Sequence, residues 1–209
     1  MGYATGDPSY ISDGTLLDGE AWVAIYSEVA VSDPTSITAT SADDGSVADF
    51  SQYMDLILIL SGQSRYTGGT GCTARVHLNG VDGTGGTAAD KYPTQYFRGN
   101  GSSATGTMDM TSDWFDVAEW PSDTDDVAEH GSCVLHLFDI NSGKYKTMVS
   151  SYAGDRDGSG YSGISTATYL SQAPITSVTF KVRRGAAGLN IATGSMFSLF
   201  GILPRMVNA

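Results

Sequence analysis

The stretch ITSVTFKVRR, residues 175–184, decides the fold class. Val178, Phe180 and Val182 alternate with Ser177, Thr179, Lys181 and Arg183. Apolar and polar side chains at a period of two make a strand with one face in a core and one in water. The same period recurs on both sides of this segment. SCVLHLFDI sets Cys133, Leu135 and Leu137 against Val134, His136, Phe138 and Ile140. ARVHLNG sets Val76 and Leu78 against Arg75 and His77, and SMFSLFGI places Phe197 and Leu199 on one face. EAWVAIYSEVAV puts Val23, Ile25, Val29 and Val31 on one face and Trp22, Ala24 and Tyr26 on the other. YMDLILILSG is apolar on both faces, Leu56, Leu58 and Leu60 against Ile57 and Ile59, which predicts a strand covered on both sides.

Turn clusters separate these runs: SADDGS, YTGGTG, DGTGGT, RGNGSSATG, INSGK and GDRDGSG. Roughly ten strand candidates at short spacing, with no amphipathic helix, predict an all-β, jelly-roll-like antiparallel β-sandwich. Residues 21–209 form a single sandwich domain in this reading. Residues 1–20 are polar and weakly patterned and form an extended N-terminal arm, a possible anchor.

The chain has 209 residues, enough to bury a core without staples. It carries 11 Lys and Arg against 23 Asp and Glu, a net charge of −12. No base precedes Arg65, whereas ten carboxylates do. Such a surface repels phosphate, so nucleic acid is not an expected partner. The longest apolar run, LILIL, is far below membrane-spanning length, so no membrane partner is expected. The first ten residues have neither a basic nor an apolar leader pattern, so no signal peptide is expected there. Cys72 and Cys133 lie in or beside apolar runs and are expected as buried free thiols, in keeping with assembly in a reducing cytosol.

AGDRDGSGYSG, residues 153–163, resembles the opening of a calcium loop, with Asp155, Asp157 and Ser159 alternating. An EF-hand loop needs a bidentate Glu at its twelfth position. Counting from Asp155, that position is Thr166, and Arg156 puts a cation inside the shell. An acidic turn accounts for the stretch, and no metal is expected. His77 and His136 fall on strands and His130 in a turn, outside any zinc motif. There is no nucleophile elbow and no phosphate-binding loop. No catalytic, cofactor-binding or metal-binding residue is therefore expected. Tyr92, Tyr96 and Phe97, and Trp114, Phe115 and Trp120, are two aromatic clusters that fit a core, a subunit interface or a sugar-binding surface.

Five segments in order carry a family resemblance: YMDLILILSGQSR, ARVHLNG leading to KYPTQYF, GKYKTMVSSYAGDRDGSGY, APITSVTFKV and ATGSMFSLFGI. Together they resemble a family of tailed-phage virion proteins found in marine and cyanobacterial phages. The resemblance spans about residues 50 to 202, and its closing motif, Ala-x-Gly-Ser-x-Phe-Ser-Leu-[Tyr/Phe]-Gly-Ile, is the most specific piece. Leu78-Asn79-Gly80-Val81 replaces the family's Phe-Asn-Gly-Asp, and Phe200 stands where Tyr is usual.

The resemblance implies a non-enzymatic structural protein without cofactor. It would be a capsid decoration or cement protein on the particle exterior, assembled in the host cytoplasm. Its partners would be the major capsid protein or another virion protein and further copies of itself, with a homotrimer favoured. The alternative is a tail-fibre or receptor-binding module. As architecture, Asn79-Gly80 is expected to form a turn, and Gly201 to allow a close backbone approach.

Overall fold

The computed structural model describes residues 11–12, 15–16, 22–67, 71–80, 92–110, 112–122, 129–155, 160–184 and 187–203. Among these residues there are sixteen strands. They are β1 (Ile11–Ser12), β2 (Thr15–Leu16), β3 (Trp22–Val29), β4 (Ile37–Thr40), β5 (Asp55–Gly62), β6 (Ser64–Arg65), β7 (Cys72–Leu78), β8 (Thr94–Gly99), β9 (Ala104–Asp109), β10 (Phe115–Trp120), β11 (Gly131–Leu137), β12 (Lys146–Gly154), β13 (Tyr161–Tyr169), β14 (Ser177–Arg184), β15 (Ala187–Ile191) and β16 (Met196–Ile202). A single turn of 3-10 helix, Phe50–Gln52, precedes β5. The N-terminal arm expected over 1–20 lies mostly outside the described residues; within it, β1 pairs with β2.

The fold is all-β, and two sheets face each other across one core. The larger sheet has eight strands in the order β3-β16-β5-β11-β12-β13-β8-β9. The smaller has six, β10-β7-β14-β15-β6 with β4 beside β14. All strand pairs are antiparallel.

The alternation in 175–184 is realised in β14. Val178, Phe180 and Val182 are buried, and Ser177, Thr179, Lys181 and Arg183 look outward. Facing them from the larger sheet are Leu56, Leu58, Leu60, Cys133, Leu135, Leu137, Phe197 and Leu199. Neither Cys72 nor Cys133 is in a disulfide, and both are buried.

Two expectations about side-chain direction are corrected by local irregularities. A bulge in β3 lies opposite the Leu199/Phe200 step, so Ala24 pairs with Phe200 and Tyr26 with Leu199. The extra residue turns Tyr26 inward, edge-on to Phe197 at 5.7 Å between ring centroids, and turns Val29 outward. Val31 lies beyond the strand and is exposed, not on the core face. The closing glycine also differs in its reason. A Cβ on Gly201 would collide with the ring of Tyr53, so the close approach is to a side chain, not a backbone. Asn79 and Gly80 do form a turn, with φ of 55° and 68°. The Asn79 side chain then accepts from the backbone N–H of Thr176 at 2.7 Å, which ties this turn to the entry of β14.

Candidate functional site

Two regions stand out, a polar cleft at the edge of the smaller sheet and the outer face of the larger one. The cleft is built by β10. Asp116 and Glu119 are three positions apart and would point to opposite faces of a regular strand. A bulge between Asp116 and Ala118 restores them to one side, opposite Arg75 and Thr73 of β7. Arg75 Nε donates to Asp116 Oδ1 at 2.5 Å, and its guanidinium lies 3.9 Å from the ring centre of Trp114. Arg183 approaches the same ring at 4.4 Å.

The larger sheet reaches this cleft through β8, whose Arg98 pairs with Glu119 and lies over the rings of Tyr161 and Tyr96. The resulting cavity, about 160 Å³, is lined by Tyr96, Arg98, Asp116, Glu119, Tyr152 and Ser165. Burial lifts the Asp116 carboxyl to about 6 against the pull of Arg75, and pushes the Tyr152 hydroxyl up to about 12. Small-molecule sites run from roughly 300 Å³ upward, and here both carboxylates are already held by arginines. The cleft is therefore organised to join the two sheets.

A carboxyl held above its usual range binds its proton more tightly in the folded state. Its stabilising contribution is complete below about pH 4 and is lost as pH rises through about 6. Asp116→Asn is expected to remove that slope. Urea melts of both proteins from pH 4.5 to 7.5 should show the variant gaining on the native chain by roughly 1–2 kcal/mol, after screening of the partly exposed carboxyl. Parallel stability curves would contradict the assignment.

On the outer face of the larger sheet the register aligns Ser198, Ile59, Val134, Ser151, Ile164 and Phe97 in one row. The adjacent row carries Phe200, Ile57, His136, Val149 and Thr166. Trp22, Val134, Ile164 and Phe97 are 45%, 41%, 50% and 63% exposed. The outward strand positions carry one ionisable pair, His136 Nε2 with Asp55 Oδ2 at 2.9 Å. Asp55 Oδ1 also accepts from the Asp139 N–H at 2.8 Å, so this carboxylate is buried and satisfied.

The chain matches no protein-family model, no curated protein and no solved structure.

The residues singled out in the sequence are dispersed. His77 is buried on β7, His136 sits in the outer face of the larger sheet, and His130 is exposed in a loop. Asp155 precedes a segment, 156–159, that holds Asp157 and Ser159 and lies outside the described residues. Among the described residues no group of three or more His, Cys, Asp or Glu could hold a metal ion. The aromatic clusters divide by strand parity and position. Tyr92, Phe115 and Trp120 are core, Tyr96 and Trp114 lie against arginines, and Phe97 is exposed. Sequence reasoning missed Arg98–Glu119 and Arg75–Asp116. The available signal was carboxylates at odd spacing in an apolar strand, Asp116 and Glu119, which is the mark of a bulge.

Proposed function

We propose that the chain is a non-enzymatic structural protein of a tailed-phage virion. It acts as a decoration or cement subunit on the outer capsid shell, assembles as a homo-oligomer and stabilises the particle by binding across capsomers. The observation that carries this reading is the outer face of the larger sheet: a wide, nearly uncharged surface on an acidic protein, where exposed Trp22, Phe97, Val134 and Ile164 stand among serines and threonines. A surface of that kind serves association. Interface energy repeated over many copies adds stability to a shell without any chemistry. The resemblance over residues 50–202 adds the phage context, and a homotrimer is the assembly favoured in this reading. A jelly-roll-like winding belongs to the same reading, since the chain passes from one sheet to the other at β3–β4, β4–β5, β5–β6, β7–β8, β9–β10, β10–β11, β13–β14 and β15–β16.

Electron cryomicroscopy of the intact particle tests the proposal by copy number and position. Many copies at regular sites on the shell are the expected result, and absence from the particle overturns it. Deleting residues 1–20 is expected to leave the sandwich folded and to abolish incorporation. A receptor-binding module at the tail is the second reading, favoured by Tyr161 in the open loop surface around Asn100 and Gly101, with exposed Phe97 on the strand that leads into it. A few copies at the tail would decide for it.

A further inference from the structure

We infer that the outer face of the eight-stranded sheet is a two-fold interface, and that its occupant is the same face of a second copy of this chain. The inference rests on the homo-oligomer part of the reading above, replaces its favoured trimer with a dimer, and does not depend on a place in a particle.

Three observations select a second copy. The first is size. Eight strands at ~4.8 Å spacing, each about seven residues long at ~3.3 Å rise, present on the order of 750 Å². A stable interface needs roughly 800 Å² from each partner. One sheet face laid on its copy supplies nearly all of that requirement before the loops add theirs.

The second observation is charge. A chain of net charge −12 repels its own copies. The described carboxylates lie in loops, in the cleft or on inward and edge positions, and among the outward strand positions of this sheet Asp55 alone is acidic. Its partner His136 stands beside it in the same face. Two copies can approach through this surface with the least repulsion. A basic partner would be drawn to the acidic loops instead.

The third is relief. Large side chains at Ile59 and Val134, and at Ile164 and Phe97, stand in pairs between small ones at Ser198, Ser151 and Gly106. Such a face accepts a second sheet at ~10 Å, with large residues of one lying over small residues of the other. A single face laid on its own copy is isologous and closes at two subunits.

Sedimentation of the full chain across the micromolar range tests this. The expected mass is twice that of the chain. Val134→Arg puts a cation in the centre of the face on a side chain that is already exposed, and it should halve the mass with an unchanged circular dichroism spectrum. Ile164→Arg, one row-neighbour beyond Ser151, should do the same and serves if the first variant misfolds. Thr179→Arg, on the outer face of the smaller sheet, should leave the mass doubled. A native chain that sediments as one copy or as three overturns the inference, as does a doubled mass that survives both arginines in folded protein. Particle incorporation is scored separately. A dimer absent from virions would refute the virion reading alone, and a monomer found on virions would refute the interface alone.

Discussion

Replacing Trp120 with alanine is expected to cost about 3–5 kcal/mol. Trp120 ends β10 fully buried, with its ring edge-on to Phe180 at 5.0 Å between centroids. Phe180 continues to Phe197 at 6.5 Å, so the three rings form a column from the smaller sheet to the larger one. The column also meets Gly131 at the start of β11. A Cβ there would lie 2.7 Å from Trp120 Cδ1, so the backbone is already seated against the indole. Truncation would leave a cavity that neither sheet can close without moving the other. The drop in melting temperature should be on the order of 10 °C for a chain of this length. Phenylalanine should be far milder, because the indole N–H has no acceptor among the described residues and the loss would be volume alone. A loss below about 1 kcal/mol for the alanine variant in denaturant titration would show that the column does not tie the sheets together.

Gly201→Ala should be nearly as damaging, at about 3 kcal/mol, for the opposite reason. Gly201 sits in β16 between Val23 and Leu56, and the Tyr53 ring lies directly on it. An added methyl forces the ring away from the strand, with an overpacking cost of about 1–3 kcal/mol. The ring cannot retreat freely, since Tyr53 is buried and its hydroxyl donates to the Val47 carbonyl at 2.8 Å. Breaking that bond adds about 1 kcal/mol. The two sites are then coupled: in a Tyr53→Ala background, Gly201→Ala should cost little. Additive losses in a double-mutant cycle would remove the steric explanation.

What could be read from the sequence follows from which strands have one wet face. β14 and β11 alternate cleanly because one side is core and the other is not, and their inward residues can be named from the string. β9 could not be found this way. All six of its residues are exposed, so no side is selected for apolar content and ATGTMD reads as loop. β4, β6 and β15 are too short for a period to declare itself. Bulges are the other source of silence. One extra residue reverses parity, which is why Tyr26 turned inward and why Asp116 and Glu119 met on one side. The ion pairs of the cleft join residues 21 and 41 positions apart, and His136 meets Asp55 across 81. No local pattern encodes such pairs; they arise from the order of strands in the sheets. The apolar outer face was half legible. Ile57 and Ile59 signalled cover on both sides of β5, but the width of the face emerges only when the other seven strands of the sheet add theirs.

The position of β16 bears on how the chain comes into being. The last strand of the sandwich lies between β3, its first long strand, and β5. While a ribosome is still extending the chain, those two strands have a vacancy between them, and the column that ends at Phe197 lacks its final ring. Nothing built earlier can fill that slot, because every other strand of the larger sheet lies to the far side of β5. Folding of the sandwich is thereby deferred until residues 196–202 have left the exit tunnel, and the closing step joins strands more than 160 positions apart, Trp22–Val29 and Met196–Ile202, the slowest class of contact to form. Until then, β3 and β5 wait with unpaired backbone edges, the condition in which neighbouring nascent chains most readily cross-pair.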